Sequence, residues 1–296
     1  MKTLPSSDAL RTQIMEAGPR SRAVYAGARR TLVLPSHVRR RGAVRGLNGD
    51  SKFALDPTKG NKILAPEEAP EAQAVVARVD ETVSGLDLLH MVFPNKPYVH
   101  TGLLDTETLE RDDPLVDFAL SPELVAAVSR YLGVVPVLRQ VGVWASRYHP
   151  SVNKGSQLFH CDTLATAQVK VFVYATDVGP ADGPLTVIDA DASTRAMKTL
   201  GYRFRSRVTD PEMEAAVRPD QIHPITGPRG TVAMVDTSRC FHMGSRLTEE
   251  SKLRVLAMFQ YVGLVSFQSS RRETSPFSRF VDADTPRVER MLLGAG

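Results

Sequence analysis

The chain has 296 residues, 42% of them hydrophobic and 24% charged, a make-up that excludes a wholly disordered or fibrous chain and allows a sizeable buried core. Its net charge of +4 is small for this length, and the excess sits at the start, where residues 1–50 hold ten Lys or Arg against three Asp or Glu; no nucleic-acid partner is expected from so local a bias. Two cysteines, Cys161 and Cys240, form no disulfide framework and suit a reducing compartment, and no apolar run reaches the roughly 18 residues of a membrane span, so no membrane insertion is expected.

Residues 1–65 carry scattered Gly, Pro and Arg and are expected to form an irregular, solvated basic segment. Their Arg-rich composition also suits an organellar transit peptide, but a cytoplasmic protein is the plainer expectation. The spacing predicts a helix over residues 66–89, with Pro66, Glu67 and Glu68 in a first turn and Ala74, Val75, Val79 and Val83 on one face. Residues 93–99 form a short stretch broken by prolines. A second helix is predicted over residues 122–132, with Ser121 as N-cap, Pro122 at the first helical position and Gly133 as the stop.

After Gly133 the texture changes. Residues 134–137, 140–148, 167–175, 185–188, 202–208, 231–235 and 253–262 are short runs rich in β-branched and aromatic residues, and they read as strands. Residues 178–184 have the Gly, Pro and Asp chemistry of a turn. Many short strands suggest a β-sandwich or barrel, with the helices packed on one outer face. Residues 66–296 are expected to be one domain.

The segment Gln157-Leu-Phe-His160-Cys-Asp162 is the most informative. In extended chain, residues two apart point to the same side, so the His160 imidazole and the Asp162 carboxylate can converge on one metal. His242, between the strand-like runs 231–235 and 253–262, is the best second histidine; His223, beside Pro224, is its rival. Two histidines and one carboxylate occupy one face of an octahedral metal and leave three positions open. By alternation Cys161 points away from that metal, and both cysteines read as buried thiols.

These residues sit in surroundings that resemble the phytanoyl-CoA dioxygenase family of Fe(II)- and 2-oxoglutarate-dependent oxygenases. The matching features are H-x-D at His160 and Asp162, the run VKVFVYATDV from Val169 to Val178, an acidic Gly-Pro loop, VDTSRCFH ending at His242, and an arginine twelve residues later. The resemblance covers roughly residues 134–265. It implies a mainly β fold with flanking helices around a double-stranded β-helix (jelly-roll, cupin-like) core, so that residues 66–296 would be the catalytic domain. It implies a hydroxylase that uses Fe(II), 2-oxoglutarate and O2, releases succinate and CO2, and acts on an unactivated C–H bond. It implies His160, Asp162 and His242 as catalytic iron ligands and Arg254 as the partner of the distal 2-oxoglutarate carboxylate, with Arg246 as a rival. With one inserted residue allowed, Ser245 falls where the family has a small hydroxyl residue supporting the same carboxylate, and Phe172 where it has a bulky aromatic; Lys170 shares the strand face of Phe172 and is expected to add charge to the pocket.

Because Asp162 fills the carboxylate position, halogenation is disfavoured; desaturation, ring closure and epimerisation stay open beside hydroxylation. Two other readings stand beside this one: a non-catalytic binding relative, and a cupin-like metal protein that needs no 2-oxoglutarate. The substrate is expected to be a small or carrier-bound molecule, with residues 90–115 and 190–225 as candidate pocket walls. The sequence carries no signal of oligomeric state.

Overall fold

Period-two alternation decides how the strands of this protein pack. In the computed structural model, which describes residues 13–14, 16–150, 153–251, 253–267 and 274–294, β1 (Asn61–Leu64), β2 (Val99–His100), β3 (Val137–Arg147), β4 (Gln168–Tyr174), β7 (Val232–Val235) and β9 (Leu253–Val262) form an antiparallel sheet in the order β1-β7-β4-β9-β3-β2. A second antiparallel sheet runs β6 (Ile222–Ile225), β5 (Leu185–Ile188), β8 (His242–Met243), and His160 extends it by a bridge to His242. From β4 onward the chain passes from the large sheet to the small one and back twice. That is the double-stranded β-helix the sequence resemblance implied.

Each strand of the large sheet divides its residues between two cores. Val169, Val171 and Val173 of β4, with Val255, Ala257 and Phe259 of β9, face outward onto the helices α3 (Ala72–Val83), α4 (Pro114–Leu120) and α5 (Pro122–Leu132). Lys170, Phe172 and Tyr174 take the other face, and Phe172 and Tyr174 meet Val187 and Ile225 of the small sheet inside the barrel. Each fully buried Val or Phe contributes roughly 1.5–3 kcal/mol relative to exposure, so a one-residue slip of β4 is strongly disfavoured.

The second predicted helix forms as expected: α5 spans Pro122–Leu132, starts with Pro122 after Ser121, and stops at Gly133, whose φ is 71°. The Ser121 side chain makes no capping hydrogen bond. The first is shorter than expected: α3 begins at Ala72 because Pro70 cannot donate to a helix turn, and it ends before Gly85, which has φ 76°. The expected run 140–148 lies in β3 up to Arg147, and β3 has a register shift between Leu138 and Gln140, whereas of the expected run 134–137 only Val137 joins it.

Two readings need correction. Residues 202–208 are not a strand: Gly201 and Arg205 both adopt positive φ, 57° and 71°, which breaks an extended ladder. Tyr202 and Phe204 pack instead beside Phe159 and Phe241, and only Val208 pairs, with Phe159. Residues 190–225, expected as a pocket wall, carry α6 (Ala190–Thr199), α7 (Asp210–Ala216) and β6, and Arg207 between the two helices lines the cavity beside His160 and Asp162. Residues 19–44, read as irregular and solvated, form α1 (Pro19–Leu32) and α2 (Leu34–Val44). Arg22 in α1 is buried between the rings of Phe204 and Phe267, and Arg40 in α2 is buried against the carbonyls of Val135 and Pro136. Buried arginines in place of a leucine stripe hid both helices from a periodicity reading. Residues 1–12 of the basic segment lie outside the described residues. Among the described residues no helix is long and apolar enough to cross a membrane.

Candidate metal centre

The backbone brings the two histidines together. The His160 amide donates to the His242 carbonyl at 3.0 Å and the His242 amide to the His160 carbonyl at 2.9 Å, an antiparallel pair that puts both imidazoles on one side. Their ring centroids are 4.4 Å apart. The Asp162 amide donates to the Thr237 carbonyl at 2.7 Å, which ties the third residue to the loop that leads to His242. One potential ligand atom from each of His160, Asp162 and His242 lies within 4.8 Å of the others. His223, the rival, sits in β6 and faces Asp189 at 3.4 Å instead.

The outer hydrogen bonds fit these side chains to hold a metal ion. His160 Nδ1 lies 2.9 Å from the Leu158 carbonyl and His242 Nδ1 lies 3.1 Å from the Cys240 carbonyl. A carbonyl only accepts, so both Nδ1 atoms carry the proton and both Nε2 atoms present a lone pair. Those Nε2 atoms are 3.9 and 3.8 Å from Asp162 Oδ1. The other oxygen, Oδ2, accepts from Lys170 Nζ at 2.8 Å and from Gln168 Nε2 at 2.9 Å. Gln168 also donates to Thr237 Oγ1 at 2.7 Å.

Charge follows from this packing. Burial, and then the neighbouring His242 ring, hold His160 well below the usual histidine range; burial lowers His242 as well, against the pull of Asp162. Burial alone would raise the Asp162 carboxyl, but Lys170 and the two imidazoles outweigh it and hold it well below the usual carboxylate range. Two neutral imidazoles and one carboxylate are the protonation states a divalent cation requires.

The same shifts carry a stability prediction. Below the ordinary histidine pKa of 6.5 the unfolded chain binds protons at both positions that the folded chain does not, so stability falls as pH falls. Between about pH 7 and pH 5.5 the metal-free protein is expected to lose thermal midpoint more steeply than the His160→Gln, His242→Gln double variant, as calorimetry can measure.

A cavity of about 260 Å³ opens from these residues, lined among others by Trp144, Lys170, Phe172, Leu185, Ser245, Arg254 and Leu256. Phe172 packs edge-on to Trp144, with ring centroids 6.3 Å apart. Arg254 is 5% exposed and lies in this wall. Its Nη2 donates to Ser245 Oγ at 2.9 Å and Ser146 Oγ at 3.2 Å, and its Nη1 to the Gly183 carbonyl. A guanidinium has five N–H groups; among the described residues Nε finds no partner, and no carboxylate lies within ion-pair distance. Burial lowers the Arg254 pKa, with only partial compensation from Tyr174 and Asp182. A buried cation without a counter-ion is costly, and a carboxylate entering this end of the cavity would offset that cost. Arg246, the rival, is committed elsewhere: it grips Asp210 with both Nη atoms, at 2.5 and 2.9 Å.

This end of the cavity is held under constraint. Ser245 adopts φ 64°, a left-handed conformation uncommon outside glycine, and the Gln157 side chain donates to its carbonyl at 2.8 Å. Gly183, at φ 58°, lets the turn approach so closely that a Cβ there would come within 2.5 Å of the Arg246 nitrogen. Ser146, Gln157, Gln168 and Gly183 were not anticipated as parts of the site. Ser146 and Gln168 carried a readable signal: each is a polar residue on the barrel-facing side of its strand. Gln157 and Gly183 lay in segments the sequence singled out, the run into His160 and the 178–184 turn, but their contacts with Ser245 and Arg254 cross the fold.

No protein-family model matches the chain and no curated protein matches it. Among solved structures it is similar to the non-heme alpha-ketoglutarate-dependent carbocyclase SnoK from nogalamycin biosynthesis, at 15% identity over 75% of this chain and 87% of that one, with a TM-score of 0.47. EctD from S. alaskensis with 2-oxoglutarate and 5-hydroxyectoine is similar at 16% identity over 73% of this chain and 78% of that one, TM-score 0.46. HygX from Streptomyces hygroscopicus with nickel and 2-oxoglutarate is similar at 16% identity over 70% of this chain and 84% of that one, TM-score 0.43.

Proposed function

We propose that this protein is an Fe(II)- and 2-oxoglutarate-dependent oxygenase that hydroxylates an unactivated C–H bond of a small or carrier-bound molecule. The observation that carries this reading is one cavity holding both the largely buried His160–Asp162–His242 cluster and a buried Arg254 that has no carboxylate within ion-pair distance among the described residues. A metal protein that needs no 2-oxo acid has no use for the second feature. The order of motifs from His160 to Arg254 supports kinship with the phytanoyl-CoA dioxygenase family, and the two reduced, buried cysteines suit the cytoplasm.

In this reading His160 Nε2, His242 Nε2 and Asp162 Oδ1 hold the iron, and the two backbone carbonyls behind the imidazoles fix their tautomer. Arg254, Ser245 and Ser146 take the distal carboxylate of 2-oxoglutarate. When bound, the iron and the 2-oxo acid supply the oxidising power: one oxygen atom of O2 enters succinate as CO2 leaves, and the other enters the substrate C–H bond. Lys170 holds the second oxygen of Asp162, so the carboxylate presents one oxygen to the metal. Phe172, Leu185, Leu256 and Trp144 form apolar walls that limit water. Asp162 occupies the position a halide needs, which favours oxygen transfer over halogenation.

The protein supplied with Fe(II), ascorbate, 2-oxoglutarate and air is expected to form succinate slowly even without its substrate, and to form none under argon or without iron. Metal-loaded protein that consumes no 2-oxoglutarate in air would contradict the assignment.

A further inference from the structure

Four cationic side chains line the cavity, Lys96, Lys170, Arg207 and Arg254, against one acid, Asp162. Lys170 is paired with Asp162, and Arg254 is the carboxylate receptor of the reading above. Lys96 and Arg207 are left. Both are exposed at the mouth, and neither lies within ion-pair distance of an acid among the described residues.

These two cations arrive from different parts of the chain and converge on one turn. Arg207 follows α6 and donates from Nε to the Gly155 carbonyl at 2.8 Å. Its Nη1 donates to the carbonyls of Arg205 and Ser206, at 3.2 and 3.0 Å, and the Arg205 backbone is itself bent to φ 71°. Lys96 precedes β2 and donates from Nζ to Ser156 Oγ at 3.2 Å. Adjacent residues of the 155–157 turn thus hold two like charges at the entrance to one cavity, fixed by neutral partners. Like charges held together gain when an anion sits between them.

We propose that the substrate oxidised here is an anion, with a carboxylate or phosphate group held at the cavity mouth between Arg207 and Lys96. The inference rests on the oxygenase reading and deepens it. Arg254 takes the cosubstrate's distal carboxylate at one wall, and the Arg207–Lys96 pair takes the substrate's charge at the entrance. The apolar residues between, Trp144, Leu185 and Met243 among them, leave room for an uncharged carbon segment to face the metal ligands.

Trp144 is the protein's single tryptophan and lines this cavity, so its fluorescence reports occupancy. The full-length protein, loaded with redox-inert Zn(II) and saturating 2-oxoglutarate, is titrated with butyrate, inorganic phosphate and uncharged butyramide. At least one anion is expected to bind about tenfold or more tightly than butyramide, a difference of about 1.4 kcal/mol. The better anion tells carboxylate from phosphate. The Lys96→Gln, Arg207→Gln double variant, which keeps hydrogen-bonding side chains, is expected to lose that preference, and Arg207→Lys to keep part of it. Equal binding of anion and amide, no binding of either anion, or an anion preference that survives in the double variant overturns the inference. The Fe(II)–2-oxoglutarate absorption band, recorded anaerobically on the same proteins, separates the two failures. If wild type lacks the band, the oxygenase reading itself fails; if the band is present and the anion preference absent, only the substrate class falls.

Discussion

His242→Ala is expected to abolish tight metal binding and turnover while leaving the fold stable. The side chain it removes is a neutral imidazole whose only hydrogen-bond partner among the described residues is the Cys240 carbonyl at 3.1 Å, and its backbone pairing with His160 survives the substitution. Affinity for Fe(II) is expected to fall by more than about 100-fold, beyond the 10–100-fold typical of losing a group that merely supports a ligand. Asp162→Ala makes the informative contrast. It too removes a metal ligand, but it also strands Lys170, whose ammonium lies 2.8 Å from Asp162 Oδ2 with both side chains less than a fifth exposed. A largely buried pair broken on one side costs up to about 3 kcal/mol. Metal titration beside thermal unfolding distinguishes the two: both variants lose metal, and only Asp162→Ala loses several degrees of thermal midpoint. Retention of Fe(II) at wild-type affinity in His242→Ala would contradict the assignment of that ligand.

Arg254→Ala is expected to weaken 2-oxoglutarate binding by two to three orders of magnitude, roughly 3–4 kcal/mol, the scale of truncating one side of a buried, hydrogen-bonded charge pair. Fe(II) affinity should hold, because Arg254 touches Ser245, Ser146 and Gly183 and none of the three ligands. The stability of the metal-free protein should fall little, because the substitution also removes a buried charge without a counter-ion. Arg254→Lys keeps the charge but loses the planar fork, so it should recover only part of the affinity. Calorimetric titration of 2-oxoglutarate into the Zn(II)-loaded proteins measures all three. Equal affinity in wild type and Arg254→Ala would move the carboxylate receptor elsewhere.

Local chemistry made much of this fold legible. Helix α5 announces itself through Ser121, Pro122 and Gly133, and β5 and β9 through compact β-branched runs, because each signal lies within a few residues of what it controls. The metal cluster was legible for the same reason at one end: His160 and Asp162 are two apart in extended chain. His242 was legible only as the better of two candidates beside His223, since the backbone pairing that brings it to His160 joins positions 82 residues apart.

What the sequence hid depends on contacts across the fold. Helices α1 and α2 bury Arg22 and Arg40 where a periodicity reading looks for leucines. The aromatic run around Tyr202 mimics a strand until the positive φ of Gly201 and Arg205 bends it into a loop. Helix α7 did carry a readable start, the capping box of Thr209 and Glu212, whose carboxylate accepts from the Thr209 amide at 2.8 Å. The choice of Arg254 over Arg246 turns on Asp210, which occupies Arg246 from a distant part of the chain.

The most direct measurement is an anaerobic titration of the metal-free protein with Fe(II) and then 2-oxoglutarate, followed by visible absorption. An Fe(II) ion that chelates a 2-oxo acid shows a charge-transfer band that neither component shows alone. The account predicts that the band appears in wild type, saturates near one iron per chain, is lost in His160→Ala, and needs far more 2-oxoglutarate in Arg254→Ala. Wild-type protein that binds iron and never develops the band would contradict it, and would leave the buried arginine and the three ligands as parts of a metal protein of another kind.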